Sequence, residues 1–373
     1  MIVKSLSVNH FRNFESTEIK FNDRLNIIIG DNGQGKTNII EALYLLSEGE
    51  SFRYSKNENL IQLKHPQALI RADILHNDLD FKLTMRINER KKELLVNDKA
   101  TSHNKLEKFS VVLFSPESLN IIKESSDERR NLADQLVEQT TKNGLFLIRE
   151  YKKALKTRNR ILKDISEEKI NFQIGKDTLD SLNVSFLKLA AELTYLRIST
   201  LNEIKPEVEK ALNNIHFSNS VKFNYNYLIS DVDHKDSELG KITEFLQKRM
   251  QELEVAELKS GVSLVGPHKH DISFVYNGND SRFYCSQGQQ RSIILAYKMA
   301  QIVYHYRVHM FYPLLLLDDV LSELDLTKQE SLISTLNQTE TQTFVSTTDV
   351  TLISKLSMDK ASVFKIRDGQ IVV

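Results

Sequence analysis

The clearest chemical signature in the sequence is the run Gly30-Asp31-Asn32-Gly33-Gln34-Gly35-Lys36-Thr37, which has the spacing G-x-x-x-x-G-K-T. A β-branched run at 25–29 precedes it, and a segment of helical apolar spacing that begins at Asn38 follows it. Strand, glycine-rich loop and helix form the context in which this spacing indicates phosphate binding. Backbone N–H groups and the helix N-terminus would hold a triphosphate, Lys36 would reach its β- and γ-phosphates, and the Thr37 hydroxyl would ligate Mg²⁺. The alternative is a glycine-rich turn that matches by chance.

A second signature is the pair of carboxylates, Asp318 and Asp319, that follows the apolar run at 314–317. Four apolar residues predict a buried central strand, and ligands of open α/β sheets bind at the carboxyl ends of such strands. Asp318 would hold Mg²⁺ through water, because Mg²⁺ keeps several waters when bound. Asp319 would orient or deprotonate the attacking water. The alternative is a strand that runs into an acidic turn.

Two further groups of residues extend this pattern. Ser286, Gly288 and Gln289 open a predicted helix, and a serine and glycine at a helix N-terminus can bind phosphate. One γ-phosphate does not need two such sites in one subunit, so we expect Ser286 and Gly288 to face the nucleotide of another copy of the chain. Ser322 and Asp325 follow the carboxylates. The alternatives are an N-cap with a glycine turn at 286–288 and a plain helix start at 322–325.

The elements that must position these residues fall into three sections. Residues 1–117 show strand patterns, including an antiparallel meander over 68–96, and residues 258–373 alternate strand and helix, which indicates a mostly parallel sheet. Residues 118–257 show long segments of helical spacing. We therefore predict an α/β head formed by 1–117 and 258–373, with 118–257 inserted as a helical arm, or lid, domain.

Several local predictions can be tested directly. We expect helical stretches at 131–165 and 178–213, with Pro206 breaking or kinking the second. A hairpin is expected at Asn277-Gly278 between strands at 272–276 and 282–284, and a short helix at 351–357. The stretch 149–163 is strongly basic; it is either a solvated helix face or a DNA backbone contact, for which the candidates are Lys152, Lys153, Lys156 and Arg160.

Composition excludes several classes. The 373 residues carry 50 Lys plus Arg and 50 Asp plus Glu, so any nucleic-acid surface must be local. The single cysteine, Cys285, excludes an internal disulfide or a CxxC metal site and suits a reducing cytosol. The longest apolar run, near 314–317, is too short for a bilayer, and the N-terminus lacks a signal peptide's apolar block. We expect a cytoplasmic protein with no membrane partner.

The order of these motifs resembles the ABC-type head ATPases of the SMC and Rad50 class, and in detail the RecF family of bacterial recombinational repair ATPases. The resemblance spans nearly the whole chain. It rests on the phosphate loop and on the runs Phe11-Arg12-Asn13-Phe14, Phe114-Ser115-Pro116-Glu117, Asp127-Glu128-Arg129-Arg130, Gly266-Pro267-His268-Lys269-His270-Asp271, the segment 286–291 and Leu317-Asp318-Asp319-Val320-Leu321-Ser322-Glu323-Leu324-Asp325.

This resemblance implies an α/β ABC-type ATPase head, with a mixed sheet, an antiparallel meander and an inserted helical arm. It implies an ATP-dependent homodimer in which two ATP molecules lie between residues 30–37 of one copy and the signature 286–289 of the other, with Ser322 and Asp325 in the loop between the sites. It further implies slow ATP hydrolysis, binding to duplex, gapped or single-stranded DNA, and action with RecO and RecR in the SOS response and replication, where RecA loads on single-stranded gaps.

Some details of the resemblance depart from the wider class. The carboxylate at Asp319 is usually glutamate, and the switch position, often histidine, corresponds to Thr347 or Thr348. The glutamine-containing loop is assigned to 115–117 as a guess. Arg12 could stack on adenine or touch phosphate, or be a plain surface arginine. The competing functions are the ATPase subunit of a transporter, another DNA-organising head ATPase, and a scaffold that binds ATP for stability.

Overall fold

The structure, a computed structural model, describes residues 1–101, 109–216, 220–229, 232–233, 238–338, 340–348 and 361–372. Contacts divide the chain into two compact units. We call Met1–Leu119, Ala211–Asn219 and Ser292–Val373 the α/β unit, and Asn120–Lys210 and Ser220–Arg291 the helical unit. The helix predicted at 351–357 lies outside the described residues.

The α/β unit contains two six-stranded sheets among the described residues, one antiparallel with the order β2-β1-β4-β5-β6-β7 and one mixed with the order β16-β15-β3-β14-β13-β8. Its strands are β1 (Ile2–Phe11), β2 (Phe14–Lys20), β3 (Leu25–Ile29), β4 (Gln67–His76), β5 (Leu79–Asn88), β6 (Lys92–Val96), β7 (Lys99–Thr101), β8 (Val111–Phe114), β13 (Leu314–Asp318), β14 (Thr343–Thr347), β15 (Ala361–Arg367) and β16 (Gln370–Val372). Its helices include α1 (Lys36–Glu48), α2 (Asn57–Leu60) and α9 (Leu326–Gln338).

The mixed sheet brings the two chemical signatures together. Strand β14 pairs in parallel with both β3 and β13, so the residues after β3 and those at the end of β13 emerge at one edge. The four leucines of β13 and Ile27 and Ile28 of β3 are fully buried, which accounts for their continuous apolar runs. Helix α1 starts directly from this edge and buries Ile39, Ile40 and Leu43 in the core.

The helical unit combines long helices with a four-stranded antiparallel sheet of order β10-β9-β11-β12. Its strands are β9 (Phe223–Ile229), β10 (Val232–Asp233), β11 (Asp271–Tyr276) and β12 (Asn279–Asp280). Its helices are α3 (Ser126–Thr140), α4 (Gly144–Ser166), α6 (Leu239–Ser260) and α7 (Ser281–Tyr284), together with most of α5 (Phe172–His216) and the first turn of α8 (Gln287–His309).

Several local predictions differ from the structure. The stretch 131–165 is two helices, because Asn143 adopts a left-handed φ of 64° between α3 and α4. Helix α5 continues across Pro206, so the predicted break is wrong, and a kink there stays a prediction. Residues 282–284 form helix rather than strand, because the Asp280 side chain accepts from Arg282 N–H and caps α7.

The predicted helical section also contains a strand. The alternating segment Phe223–Ile229 is β9, and it pairs with β11 over six residue pairs. This pairing places 258–291 with the helical unit, whereas the sequence pattern suggested a boundary near residue 257.

Candidate functional site

The phosphate loop is shaped by glycines at crowded positions. Gly35, the N-cap of α1, has φ 118°, and a Cβ there would lie 2.9 Å from Asn13 and Phe14 side-chain atoms. A Cβ on Gly30 would lie 2.5 Å from the Ile366 carbonyl oxygen. Larger residues would therefore displace the loop from its neighbours, which explains why this spacing demands glycine.

Lys36 has a cationic side chain turned into the loop. It is 5% exposed, and its Nζ donates to the carbonyl oxygens of Gly30 at 2.8 Å and Asp31 at 3.0 Å. Among the described residues no carboxylate lies within ion-pair distance of it. A buried ammonium bonded only to carbonyl oxygens is suited to an anionic ligand.

Thr37 and Asp318 meet directly, as expected of a cation site. The Thr37 Oγ1 donates to Asp318 Oδ1 at 2.9 Å, and Ser346 Oγ donates to the same oxygen at 2.7 Å. Burial raises the pKa of Asp318, and these two hydrogen bonds oppose the rise only partly, with Asp319 and Glu117 adding negative charge. No lysine or arginine among the described residues pairs with Asp318. A buried carboxylate beside a hydroxyl, without a cation of its own, fits a hard ion such as Mg²⁺.

Asp319 is held in an unusual conformation at the end of β13. Its φ is 51°, a left-handed value that is uncommon for residues other than glycine, and its N–H donates to Ser346 Oγ at 3.0 Å. Its Oδ1 is buried and has no hydrogen-bond partner in the part of the chain that the structure describes, and Asp319 lines the same cavity as Lys36 and Thr37. A strained residue with an unsatisfied carboxylate oxygen in a cavity is a candidate for contact with substrate or water.

The cavity has a volume of about 820 Å³ and lies within the α/β unit. The residues that line it include Asn32, Gly33, Gly35, Lys36, Thr37, Asn38, Asn13, Arg12 and Asp319. Most of the residues predicted for ATP binding are thus brought to one cavity. Gln34 instead uses its carbonyl oxygen to accept from Asn13 Nδ2 at 2.8 Å and from Gly369 N–H at 3.2 Å.

Arg12 lies in this cavity but is tied to the protein. Its Nε and Nη2 donate to the two oxygens of the fully buried Glu41 at 2.8 and 2.6 Å, and Ser55 and Asn59 accept two more hydrogen bonds. Four of the five guanidinium donors are therefore committed. The role of Arg12 in ATP binding stays a prediction, and stacking through its planar face is more compatible with these bonds than phosphate contact.

The predicted signature is the beginning of α8 in the helical unit. Gln289 N–H donates to Ser286 Oγ at 3.2 Å, and Ser286 N–H donates to Gln289 Oε1 at 2.9 Å. This reciprocal arrangement is a capping box, which also explains the S-x-x-Q spacing. The exposed Ser286 therefore stands at a regular helix N-terminus, where an anion is favoured.

The residues after Asp319 also cap. Ser322 Oγ donates to the Asp319 carbonyl oxygen at 2.7 Å, and Asp325 Oδ1 accepts from Lys328 N–H at 3.0 Å at the start of α9. The hydrogen bond to Lys328 holds the pKa of Asp325 below its usual range. Helix-start roles account for these bonds, and contact with a partner copy stays a prediction.

The basic stretch occupies α4. Lys152, Lys153, Lys156 and Arg160 are exposed, whereas Arg158 is buried. Lys152, Lys156 and Arg160 are four residues apart, so they share one face of the helix at intervals of about 6 Å. The structure thus separates an exposed basic face from the arginine that belongs to the core.

Sequence reasoning missed Glu41 and underused Asn13 and Glu117. Glu41 follows Lys36 by five residues in an amphipathic helix, and only its full burial shows that it is the partner of Arg12. Asn13 was noted within a motif, but its hydrogen bonds to Gln34 and to Asn38 could not be inferred from spacing. For Glu41, the available sequence signal is an acidic residue within the apolar run of a helix that begins at a phosphate loop.

No helix in the described part of the chain is long and apolar enough to cross a membrane.

Comparison with known proteins identifies a wider family. The model described as RecF/RecN/SMC N terminal domain matches residues 2–371. The DNA replication and repair protein RecF of Bacillus velezensis is 34% identical over 381 residues, with 100% of each chain covered.

Two solved structures are similar over almost the whole chain. That of the recombination mediator protein RecF with ATPγS in the RecFOR pathway has a TM-score of 0.87 and 31% identity, covering 99% of this chain and 97% of that chain. The corresponding structure with ATP has a TM-score of 0.86 and 31% identity, covering 99% and 98%. The predicted α/β head fold with a helical insertion is confirmed, and the chain belongs to the RecF family.

Proposed function

We propose that this protein is an ATP-gated, dimerising, DNA-binding ATPase that acts in recombinational repair. The observation that carries this proposal is the charge arrangement of the α/β unit. The buried Lys36 lines the cavity, and the buried Asp318 carboxylate accepts from Thr37, which lines the same cavity. Neither Lys36 nor Asp318 has an opposite charge of its own among the described residues. A Mg²⁺-bound nucleoside triphosphate supplies both missing partners.

In this proposal each side chain has a defined task. Lys36 binds the β- and γ-phosphates, and α1 presents its N-terminus to them. Thr37 and Asp318 would hold Mg²⁺, which when bound neutralises charge on the phosphate oxygens. Asp319 orients the attacking water and accepts its proton, and its rigid left-handed backbone keeps the carboxylate in the cavity. A shorter acid than the glutamate of the wider class suits slow hydrolysis that times dimer opening.

The proposal makes the site composite. Ser286, Gly288 and Gln289 of one copy would hold the γ-phosphate bound by the other copy, so ATP completes the dimer interface and hydrolysis weakens it. Ser322 and Asp325 would lie near that interface. Dimer closure, rather than mechanical work, is then the output of ATP binding.

The dimer proposal is tested by sizing with and without ATP. We expect wild type to dimerise only with ATP and Ser286→Arg to remain monomeric while binding nucleotide normally, because residues 30–37 are unchanged. Lys36→Arg should retain part of its nucleotide binding and lose hydrolysis. An equally monomeric wild type in both conditions, or loss of nucleotide binding in Ser286→Arg, would contradict the composite site.

DNA binding is proposed for the exposed basic face of α4. Neutralising Lys152, Lys153 and Lys156 together should weaken binding and reduce the salt dependence by about one phosphate contact for each residue. Binding should be measured with and without ATP on duplex, gapped and single-stranded DNA. Unchanged affinity and salt slope would place DNA elsewhere.

The repair role follows from relatives described as RecF and from the mediator structures in the RecFOR pathway. We propose that this chain works with RecO and RecR to help RecA load on single-stranded gaps. A transporter subunit loses support because the family is that of repair proteins. A scaffold that only binds ATP predicts no turnover, which a steady-state hydrolysis assay distinguishes.

A further inference from the structure

The loop that carries Ser286 is attached to a chain of alternating charges within the helical unit. Arg129 of α3 donates from Nε and Nη2 to the two oxygens of Asp271 at 2.8 and 2.9 Å. Arg282 of α7 donates to the same carboxylate at 2.7 Å. Arg282 also donates to Asp280 at 2.6 Å, so the order is Arg129, Asp271, Arg282 and Asp280.

The first member of this chain is firmly placed. The Arg129 side chain is 6% exposed, and its Nη1 donates to the carbonyl oxygens of Ile122 and Glu124 at 3.1 and 2.5 Å. Arg130 beside it donates to the His270 carbonyl oxygen at 2.5 Å. Two adjacent arginines of α3 thus hold the beginning of β11, one through the Asp271 side chain and the other through the His270 backbone carbonyl.

The last members control the start of α7. Asp280 accepts from Arg282 N–H at 2.9 Å and from Ser273 Oγ at 2.6 Å. One carboxylate therefore caps α7 and also connects it to Ser273 of β11. Although burial raises the pKa of Asp280, its hydrogen bonds from Arg282 and Ser273 hold that pKa below its usual range, and the side-chain hydrogen bond with Asp280 raises the pKa of Arg282. Both groups therefore stay charged in the folded protein.

A further bond connects α7 to the helix that Ser286 caps. The Gln290 side chain, 4% exposed, donates from Nε2 to the Ser281 carbonyl oxygen at 2.7 Å. The seven-residue segment from Asp280 to Ser286 is consequently fixed at both ends. Phe283 and Tyr284 within that path are 75% and 74% exposed, so apolar burial does not hold it.

We infer that the ion-pair chain from Arg129 through Asp271 and Arg282 to Asp280 positions Ser286 for the nucleotide of a second copy. This inference rests on the composite site proposed above. Arg282 is a positioning residue, because it acts through the α7 backbone and has no contact with substrate in this role. The geometry of Ser286 depends on α3, which lies about 150 residues earlier in the chain.

The sole cysteine supplies a probe at the right place. Cys285 directly precedes Ser286 and is partly exposed, so a nitroxide spin label can be attached to the natural chain. The label's mobility reports loop position without requiring dimer formation. Arg282→Met removes the central link, Asp271→Asn removes the charge that both arginines share, and Arg282→Lys retains charge without the fork.

Arg249→Met is the matched control, because Arg249 is also an ion-paired arginine of the helical unit and its partner, Glu252, lies on the same helix. We expect Arg282→Met and Asp271→Asn to increase label mobility and weaken ATP-dependent dimerisation by about tenfold or more. Nucleotide affinity of the monomer should stay within about twofold, since its phosphate loop is untouched. Arg282→Lys should be intermediate, and Arg249→Met should match wild type.

Two results would overturn the inference. Label mobility in Arg282→Met equal to that of wild type would show that the ion pairs do not hold the loop. Increased mobility with undiminished ATP-dependent dimerisation would show that the chain of charges is structural only. A wild-type protein that forms no dimer with ATP would instead refute the proposed function, and this is read from the unsubstituted protein alone.

Discussion

In the helical unit, Arg158 donates to both oxygens of Glu257 at 3.0 and 2.6 Å, and Arg197 does the same to Asp134 at 2.7 and 3.0 Å. In the α/β unit, Asp318 is also buried, but among the described residues it accepts only from the hydroxyls of Thr37 and Ser346. The helical unit therefore compensates these buried charges internally, whereas the α/β unit, which also contains the compensated pair Arg12–Glu41, leaves Asp318 without a cationic partner among the described residues.

This difference separates structural from functional charge. Removing one member of a compensated buried pair leaves the other charge buried without a counter-charge, which destabilises the fold. Removing an uncompensated charge relieves the same cost but removes the ligand site, so stability and activity change in opposite directions. The predictions below test this contrast.

The largest expected effect is on the compensated pair. Arg158→Met leaves Glu257, whose side chain is 2% exposed, without its partner, and should lower the free energy of unfolding by about 3–5 kcal/mol. Denaturant unfolding measures this value. Arg249→Met breaks the partly exposed Arg249–Glu252 pair of the same unit and should change the free energy of unfolding by about 0.5 kcal/mol or less. A loss for Arg158→Met as small as that of the control would remove the contrast.

The second prediction concerns the uncompensated carboxylate. Asp318→Asn keeps an acceptor for Thr37 and Ser346 but removes the buried charge. Hydrolysis should fall by about 100-fold or more, because the cation site is lost. The thermal midpoint of the nucleotide-free protein should rise by about 2 °C at neutral pH. A lowered midpoint would mean that the carboxylate stabilises the fold.

The same residue has a pH signature. The folded pKa of Asp318 is raised, so the native state binds this proton more readily than the unfolded chain. The destabilisation of the fold by the ionised Asp318 should therefore diminish as pH falls from neutrality, through the raised folded pKa, towards the ordinary pKa of a carboxylate. Stability of wild type relative to Asp318→Asn should improve over that interval, and a parallel pH dependence would contradict this assignment.

A stability effect of opposite sign is expected from His305 in the same unit. Burial lowers the pKa of His305 to about 4, with His309 contributing, while Nδ1 lies 3.1 Å from the Phe311 carbonyl oxygen. The folded pKa is below the unfolded value, so stability is lost as pH falls below about 6.5. Between pH 7 and 5 this loss should be about 2 kcal/mol. His305→Asn should remove it, which unfolding at both pH values will show.

The sequence predicted what depends on local order. A strand, a glycine-rich loop and a helix identify residues 30–37, and an apolar strand before Asp318 and Asp319 identifies the sheet edge. The parallel pairing of β14 with β3 and β13 is enough to bring these two sites to the same edge of the sheet. Short-range rules and one topological principle were sufficient there.

The rest depended on contacts distant in sequence. Arg129 and Asp271 are 142 residues apart, so no spacing rule joins them. Strand β9 has the alternation of a strand, but it lies between long helical segments, and its pairing with β11 is non-local. The strand predicted at 282–284 is a helix because the Asp280 side chain caps it. Local side-chain hydrogen bonds of this kind compete with strand formation, and apolar patterning does not reveal them.

The most direct test of the composite site is complementation between two inactive proteins. Lys36→Ala loses the phosphate loop and Ser286→Arg loses the signature, so their mixed dimer contains one intact site formed by the opposite residues of each copy. An equal mixture should recover up to about half of wild-type hydrolysis, because neither variant forms a closed dimer with itself and each mixed dimer has one intact site of two. Mixing Lys36→Ala with Asp319→Asn is the matched control and should recover nothing, because both residues belong to one α/β unit. Recovery by the first mixture alone is the predicted result; no recovery there would contradict the composite site.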